Sequence, residues 1–245
     1  MKRYKLVVTY DGTNYCGWQK QKNGVSVQEV LTNALAKIAT GDVKVTGSGR
    51  TDSGVHARAQ VVHVDMSTSV PGDKIAVAVN PLLPNDVSVV ESREVDCTFH
   101  ARYGAKEKTY VYRVYVSKVR LPLVDRYALR LDDMPDIKKM RKAAELFIGV
   151  HDFRCFMSTG SSVKDTVREI FQFDVSGEDE IVFKVTGNGF LYNMVRIMVG
   201  TLLEIGQGTR SIDDLRRAID GEDRRFAGKT VPARGLTLDS VVYSE

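Results

Sequence analysis

The sequence predicts an α+β protein made of two ferredoxin-like halves, each with a mainly antiparallel sheet, and a catalytic cleft between them. Strand-like and helix-like segments follow one another in the order β-α-β-β-α-β twice along the chain. A basic crossing segment at 97–108 separates the two series. The length of 245 residues suits one large domain or two small ones. We therefore place the first half at 1–104 and the second at 105–245.

The first half opens with a β-rich segment at 3–10, which ends in the turn signal Asp11-Gly12. The spacing Ser26-x-x-Glu29 is that of a capping box, and apolar residues follow it at helical spacing until Gly41. The other elements predicted for this half are a short strand at 43–46, a half-exposed strand of alternating residues at 61–66, a short helix at 73–80 and a strand at 87–95.

The second half repeats the order with one additional helix. Its predicted elements are a strand at 109–116, a helix at 135–147, hairpin strands at 166–175 and 181–186, helices at 190–203 and 211–219, and a closing strand at 236–243. No repeat in the sequence itself relates the two halves. Only the order of elements therefore indicates a duplicated architecture.

Composition favours an ordinary globular protein, with 43% hydrophobic and 27% charged residues. No apolar run approaches the roughly 20 residues of a membrane span, and the amino terminus leads into a strand pattern rather than a signal peptide. The three cysteines, Cys16, Cys97 and Cys155, lie far apart without a Cys-x-x-Cys pair, so neither disulfides nor zinc are expected. We predict a cytoplasmic protein with no membrane partner. Its net charge of +4 permits a polyanionic one.

The segment 47–58, which connects two strand-like stretches, is rich in residue types that form functional sites. It combines three glycines with Asp52, which lies between Arg50 and Arg58, and neighbouring cations hold a carboxylate ionised. The segment lacks the Gly-Lys-Ser/Thr of a nucleotide-binding loop, and a strand rather than a helix follows it. The sequence therefore predicts a site centred on Asp52 that is not a phosphate cradle.

Arg196 is the only charged residue in the apolar helical segment 190–203. Leaving a buried guanidinium without a partner costs several kcal/mol, so Arg196 requires one. Asp52 is one candidate. The alternatives are Glu204 on the following turns, or a side chain that extends to solvent, and composition does not choose among them.

Tyr110 and Tyr112 share one face of the predicted strand at 109–116. Aromatic rings on a sheet suit stacking on a nucleobase, and they equally suit an ordinary core. Cations near the candidate site fit a groove that follows a nucleic-acid backbone, although each alone suits a solvated surface; they are Arg50, Arg58, Arg102, Lys106 and Lys108. His56 and His63 lack a convincing third ligand, so we expect no metal site.

Five stretches in one order resemble the signature motifs of the tRNA pseudouridine synthase A family. The central one is 49–57, Gly-Arg-Thr-Asp-Ser-Gly-Val-His-Ala, in which Ser53 stands where many bacterial members have alanine. The others are Tyr10-Asp11-Gly12 with Gly17-Trp18-Gln19, Lys-Thr-Tyr-Val-Tyr at 108–112, Gly-Phe-Leu-Tyr-Asn-Met-Val-Arg at 189–196 and Pro-Ala-Arg-Gly-Leu at 232–236. The resemblance spans the whole chain.

The resemblance implies isomerisation of uridine to pseudouridine at positions 38, 39 and 40 of the tRNA anticodon arm, by a homodimer that uses no cofactor or metal. Asp52 is the implied nucleophile, attacking either the ribose C1′ or the uracil C6 of a flipped nucleotide. Tyr110 is implied to stack on the base and assist removal of the C5 proton. Arg196 is implied to pair with Asp52 and keep it ionised.

The implied contacts to RNA complete the predicted site. Arg50 and Arg58 would grip the phosphate backbone or help to flip the base, and Leu236 would pack near the uracil. His56, Arg102 and Lys106 are the remaining predicted RNA-binding residues. Two rival hypotheses are a non-catalytic protein that binds structured RNA through the same sheets, and a metal-dependent hydrolase built on Asp52, His56 and His63, for which the sequence supplies too few ligands.

Overall fold

The computed structural model describes residues 1–160, 163–221 and 223–244. The chain forms two compact units: residues 1–106 together with the chain end from Thr237, and residues 107–236. Helices and mainly antiparallel strands make up both units, which confirms the predicted α+β class. The division of the sequence after residue 104 and the cleft between halves stay predictions.

The first unit has the ferredoxin-like arrangement that the order of elements predicts. Its strands run β4-β1-β3-β2, with every neighbouring pair antiparallel. Its elements are β1 (Lys2–Tyr10), α1 (Val27–Ala36), β2 (Thr40–Gly47), β3 (His56–Ser67), α2 (Ile75–Val79) and β4 (Val87–Val95), and single turns of 3₁₀ helix flank α2.

Local sequence explains these elements. Ser26 caps α1 by accepting a hydrogen bond from the Glu29 amide, at 3.2 Å, which confirms the predicted helix start. One face of α1 buries Val27, Leu31, Ala34 and Leu35. Every second residue of β1, from Tyr4 to Tyr10, is also buried. Burying each large apolar side chain contributes about 1.5–3 kcal/mol, which fixes which faces of α1 and β1 point inward.

Strand β3 begins five residues earlier than the sequence predicts. It starts at His56 rather than at residue 61, so the connection from β2 is 48–55 and not 47–58. His56 and Ala57 pair in parallel with Thr237 and Leu238 of the closing strand, β10 (Leu236–Tyr243). Most of β3 is buried on both faces, which removes the alternation on which the prediction relied. The same pairing groups the end of the chain with the first unit, whereas the sequence placed it in the second half.

The second unit orders its strands β5-β9-β8-β7, all antiparallel, with β6 parallel to β5. The predicted hairpin is present as β8 and β9. The elements are β5 (Ala105–Val116), α3 (Pro122–Asp125), β6 (Leu129–Leu131), α4 (Ile137–Ala144), β7 (Gly149–Asp152), β8 (Val167–Ser176), β9 (Glu180–Gly187), α5 (Met194–Gly206) and α6 (Ile212–Ile219). The sequence missed α3, β6 and β7, because three or four residues show no periodicity.

Helix α5 begins at Met194, four residues after the predicted start at 190, and ends at Gly206. The residue before it, Asn193, has a φ of 60°, the only positive value for a non-glycine residue in the part of the chain that the structure describes. This left-handed conformation interrupts the apolar run that predicted a helix, and asparagine tolerates it better than most residues do. Ten of the thirteen residues of α5 are buried, as predicted.

Candidate active site

Asp52 lies partly exposed on the connection between β2 and β3. The backbone around it turns tightly, because the Val55 amide donates to the Asp52 carbonyl at 3.1 Å. The residues on either side of this connection belong to paired strands, so both of its ends are fixed by the sheet. The first unit therefore holds the predicted nucleophile on a short, anchored loop.

The amino-terminal motif braces the Asp52 loop. The Trp18 amide donates to the Thr51 carbonyl at 3.1 Å, and the hydroxyls of Tyr10 and Thr51 lie 2.7 Å apart. The Gly54 amide donates to the Tyr15 carbonyl at 3.3 Å. Trp18 is only 3% exposed, so its side chain packs in the core and anchors the loop, and it is not available to contact a ligand. The position of the Asp52 backbone is thus set by β1 and by the residues that follow it.

Two glycines of the same motif allow this close approach. A Cβ on Gly17 would lie 2.4 Å from the Thr51 carbonyl oxygen, and one on Gly12 would lie 2.0 Å from the Val55 carbonyl oxygen. Gly17 also has a φ of 104°, which L-residues rarely adopt. Any side chain at either position would push the Asp52 loop away from β1.

His56, at the end of the loop, contacts the residues that follow β1. The ring is 5% exposed, and its Nδ1 lies 3.0 Å from the Gly12 amide nitrogen and 3.1 Å from Asp11 Oδ1. Nδ1 accepts from the Gly12 amide when it is unprotonated and donates to Asp11 when it carries a proton. A residue this deeply buried has little surface to offer RNA, so the structure gives His56 a supporting position.

The two arginines that flank Asp52 in the sequence are both exposed. Arg58 Nη1 lies 3.3 Å from Asp239 Oδ1, and 78% of the Arg58 side chain is exposed. An exposed ion pair of this kind contributes about 0–1 kcal/mol, so it can exchange for a phosphate partner at little cost. Arg102 and Lys106 are likewise at the surface of the first unit.

In the second unit, β5 places Tyr110 and Tyr112 on one face, as predicted, and both are buried. The Tyr110 ring meets Phe190 edge-on, with centroids 5.1 Å apart and planes at 84°. The Tyr112 hydroxyl donates to the Pro232 carbonyl at 2.8 Å, and burial raises the pKa of Tyr112. Tyr112 is therefore a core residue, while Tyr110 has its ring orientation set by Phe190.

Arg196 lies in the first turn of α5 and is half-buried. Its Nε donates to the Val231 carbonyl at 2.7 Å, and its Nη1 donates to Asn193 Oδ1 at 2.6 Å. These two contacts fix the plane of the guanidinium. The sequence did not single out Asn193. The sequence did contain a signal for this position, because asparagine is one of the few non-glycine residues that adopt the left-handed conformation, and it stands directly before an apolar helix.

Glu204, one of the alternative partners considered for Arg196, makes contacts at the other end of α5. Both Glu204 carboxylate oxygens are engaged elsewhere: Oε2 lies 2.8 Å from Arg210 Nε, and Oε1 accepts from the Lys229 amide at 3.0 Å. The contacts of Arg196 with Asn193 and Val231 are made near the start of α5. Glu204 serves the far end of the same helix.

The carboxy-terminal motif packs directly against Tyr112. A Cβ on Gly235 would lie 2.6 Å from Tyr112 Cζ, and the residues Ala233–Gly235 form a 3₁₀ turn. Leu236 follows at the start of β10 and is 4% exposed. The motif thus places Leu236 one residue after a tight contact with the Tyr110–Tyr112 face of β5.

The described residues form no cluster of candidate metal ligands. Over residues 1–160, 163–221 and 223–244, no group of three or more His, Cys, Asp or Glu side chains is placed to hold an ion. His63 accepts from the Ala101 amide through Nδ1 at 3.1 Å, so it serves the backbone of another segment. Within the same ranges, no helix is both long and apolar enough to cross a membrane.

Comparison with known proteins identifies the class of protein to which this fold and loop belong. A family model described as "tRNA pseudouridine synthase" matches residues 6–104 and 143–244. A pseudouridine synthase is an isomerase, and the matched ranges contain Asp52 and Arg196. The class is therefore that of RNA-modifying isomerases.

The chain belongs to the tRNA pseudouridine synthase family. It is 45% identical to tRNA pseudouridine synthase A of Acetivibrio thermocellus over 99% of this chain and 100% of the relative. It is 46% identical to the protein of that name from Ruminiclostridium cellulolyticum, with the same coverage. Among solved structures, the crystal structure of a Cbf5-Nop10-Gar1 complex matches with a TM-score of 0.40 at 16% identity, over 82% of this chain and 45% of that one.

Proposed function

We propose that this protein isomerises uridine to pseudouridine at positions 38, 39 and 40 of the tRNA anticodon arm. The observation that carries the proposal is the Asp52 loop, whose carboxylate-bearing turn is braced through Tyr10, Tyr15 and Trp18. The relatives named tRNA pseudouridine synthase A match over their whole length, so every element of the loop and its braces falls within the family resemblance.

Asp52 is the proposed nucleophile on a uridine flipped out of the RNA stack. Attack forms a bond from a carboxylate oxygen to either the ribose C1′ or the uracil C6. The glycosidic C1′–N1 bond breaks, the uracil rotates, and C5 bonds to C1′. Loss of the proton from C5, gain of a proton at N1 and release of the aspartate complete the reaction. Substrate and product have the same atoms, so the chemistry requires no oxidant, reductant or cosubstrate.

Tyr110 and Arg196 are the proposed partners of Asp52 in this reaction. Tyr110 would stack on the uracil and assist removal of the C5 proton, and the edge-on Phe190 ring supports that role by holding it in one orientation. Arg196 would pair with the Asp52 carboxylate. Its anchoring by Val231 and Asn193 supports the proposal, because a fixed guanidinium aims a carboxylate better than a mobile one does.

The proposed RNA contacts lie outside the reacting groups. Arg50, Arg58, Arg102 and Lys106 are exposed cations suited to phosphate oxygens, and Leu236 would pack near the uracil. His56 would act through the Asp52 loop that it supports. We also propose that the protein is a cytoplasmic homodimer, in which two copies present a basic surface wide enough for a folded tRNA.

The proposal is tested by incubating the protein with an unmodified tRNA transcript that has uridines at positions 38, 39 and 40. Carbodiimide labelling followed by primer extension then locates pseudouridine, an isomer that has the same mass as uridine. We expect new stops at one or more of those positions and at no uridine outside the anticodon arm. Tight tRNA binding without any new stop would favour the non-catalytic RNA-binding hypothesis, which no observation supports at present.

A further inference from the structure

The segment 97–104, which the sequence predicts only as a basic crossing segment, is held rigidly in the first unit. The Arg3 guanidinium donates to the carbonyls of Cys97 and Phe99 at 2.5 and 2.9 Å. The Ala101 amide donates to His63, and the Ala101 carbonyl accepts from the Tyr243 hydroxyl at 2.6 Å. These tertiary hydrogen bonds fix the backbone of the segment before any ligand binds.

The segment presents the ring of Tyr103. Tyr103 is 78% exposed, the largest exposed fraction of any aromatic side chain among the described residues. Its ring packs on His100, with centroids 4.4 Å apart and planes at 31°, and His100 Nδ1 accepts from the amides of Arg102 and Tyr103 at 3.1 Å each. One face of the tyrosine therefore rests on a fixed support while the ring remains open to solvent.

The charge around Tyr103 favours an anionic partner. Residues 100–108 contain the cations Arg102, Lys106 and Lys108 and a single carboxylate, Glu107, so the segment has a net positive charge. The Arg102 guanidinium carbon lies 5.8 Å from the Tyr103 ring centroid. A flat ring beside cations is the combination that binds unpaired nucleobases, since the ring stacks on the base and the cation meets the adjoining phosphate. A protein partner would require no such excess of positive charge.

We propose that Tyr103 stacks on an unpaired base of the bound tRNA, distinct from the target uridine, and that Arg102 contacts a phosphate beside that base. The inference rests on the proposed function for the identity of the RNA. It adds a positioning contact on the tRNA that is separate from Asp52, Tyr110 and Arg196. Because the ring is held before RNA arrives, binding does not have to order it.

Binding is measured with an unmodified tRNA transcript and the Asp52→Asn protein, so that the substrate stays unchanged, at a series of salt concentrations. Tyr103→Ala and Tyr103→Leu are expected to weaken binding about 5- to 100-fold, because both remove the flat aromatic face. Tyr103→Phe should stay within about twofold. Phe171→Ala removes an exposed ring of β8 and is the control that should not weaken binding.

Salt dependence separates stacking from charge. The Tyr103 variants should leave the slope of log Kd against log salt unchanged, whereas Arg102→Gln should reduce it by about one phosphate contact. In a turnover assay with the native Asp52, Tyr103→Ala should raise KM and leave kcat unchanged. Tyr103 is exposed, so all its variants should melt at the temperature of the native protein.

The inference is overturned if both Tyr103→Ala and Tyr103→Leu bind tRNA within twofold of the parent protein. It is also overturned if either variant changes the oligomeric mass while tRNA binding stays the same, since Tyr103 would then belong to a protein interface. Failure of the proposed function looks different: the native protein would form no pseudouridine, while the binding series would still show whether Tyr103 contacts RNA.

Discussion

At the scale of single residues, Asn193 is expected to affect catalysis through its contact with Arg196. It adopts a left-handed conformation, and its side-chain oxygen Oδ1 accepts a hydrogen bond from Arg196 Nη1 at 2.6 Å. Residues held in sparsely populated backbone regions often serve a functional site. The observed strain and the contact together indicate that Asn193 aims the Arg196 guanidinium.

Two substitutions of Asn193 distinguish the effect of backbone strain from the effect of orienting the Arg196 guanidinium. Asn193→Ala is expected to destabilise the protein by about 1–2 kcal/mol, because alanine tolerates a φ of 60° poorly, and glycine removes that penalty. Both variants lose the contact to Arg196, so both should lower kcat by at least tenfold. Thermal unfolding and tritium-release kinetics measure the two effects. A fully active Asn193→Gly protein would show that the contact does not matter.

His63 makes a second prediction at this scale, on stability against pH. Burial, with the Arg3 guanidinium and His100 nearby, lowers the pKa of His63 from its ordinary 6.5 to about 4. Between pH 6.5 and 4 the unfolded chain therefore binds more protons at this residue than the folded chain, so stability falls as the pH falls through that window. The full effect is up to about 3 kcal/mol.

The matched variant is His63→Asn, whose side-chain oxygen can still accept from the Ala101 amide but does not titrate. We expect the free energy of unfolding, measured with urea, to fall more steeply between pH 7 and pH 4 for the native protein than for the variant. Parallel curves for the two proteins would show that His63 titrates normally in the folded state.

At the scale of elements, the Asp52 loop depends on how closely β1 and the residues after it approach. Gly17→Ala would place a Cβ 2.4 Å from the Thr51 carbonyl, at a φ of 104°, and should both destabilise the protein and displace Asp52. Gly41→Ala is the control, since Gly41 also has a positive φ, of 81°, and no atom lies within 4 Å of its Cβ position.

We expect Gly41→Ala to cost about 1 kcal/mol of stability and to leave kcat unchanged. Gly17→Ala should lower kcat at least tenfold at a temperature where the protein is still folded, as judged by circular dichroism. Equal kcat values for the two variants, both folded, would mean that the brace does not position the nucleophile.

The elements also show which parts of the fold the sequence could reveal. The helix start at Val27 followed from a capping residue, and β4 and β10 agree with prediction at both ends, because these signals are local. The early start of β3 depends on pairing with a strand about 180 residues later in the chain, which no local pattern encodes. The late start of α5 depends on one backbone angle at Asn193.

The residues of the proposed site could be singled out from the sequence only in part. Asp52, Tyr110 and Arg196 could be singled out because their residue types stand out from the surrounding sequence. Arg196, for example, is the only charged residue in an apolar helical segment. Their supports were not, because the Val231 carbonyl and the Tyr15 carbonyl are backbone groups that carry no side-chain signature. His56 looked like an RNA ligand from its motif, and only the fold shows that it is buried.

At the scale of the whole molecule, the proposed homodimer makes a direct prediction. In sedimentation equilibrium at micromolar concentration, the protein should have twice the mass of one 245-residue chain. One tRNA-binding surface would then draw cations from two copies, so dilution to the monomer should weaken tRNA binding. A monomer that binds tRNA and turns over at full rate would contradict the dimer.

Release of tritium from uracil C5 shows whether Asp52 is the nucleophile in uridine isomerisation. A tRNA transcript tritiated at uracil C5 is incubated with the native protein, with Asp52→Asn, and with Asp42→Asn as a control at an exposed position on β2. The account predicts tritium release by the native protein and by Asp42→Asn, and none above background by Asp52→Asn. Equal release by the native protein and Asp52→Asn would contradict it.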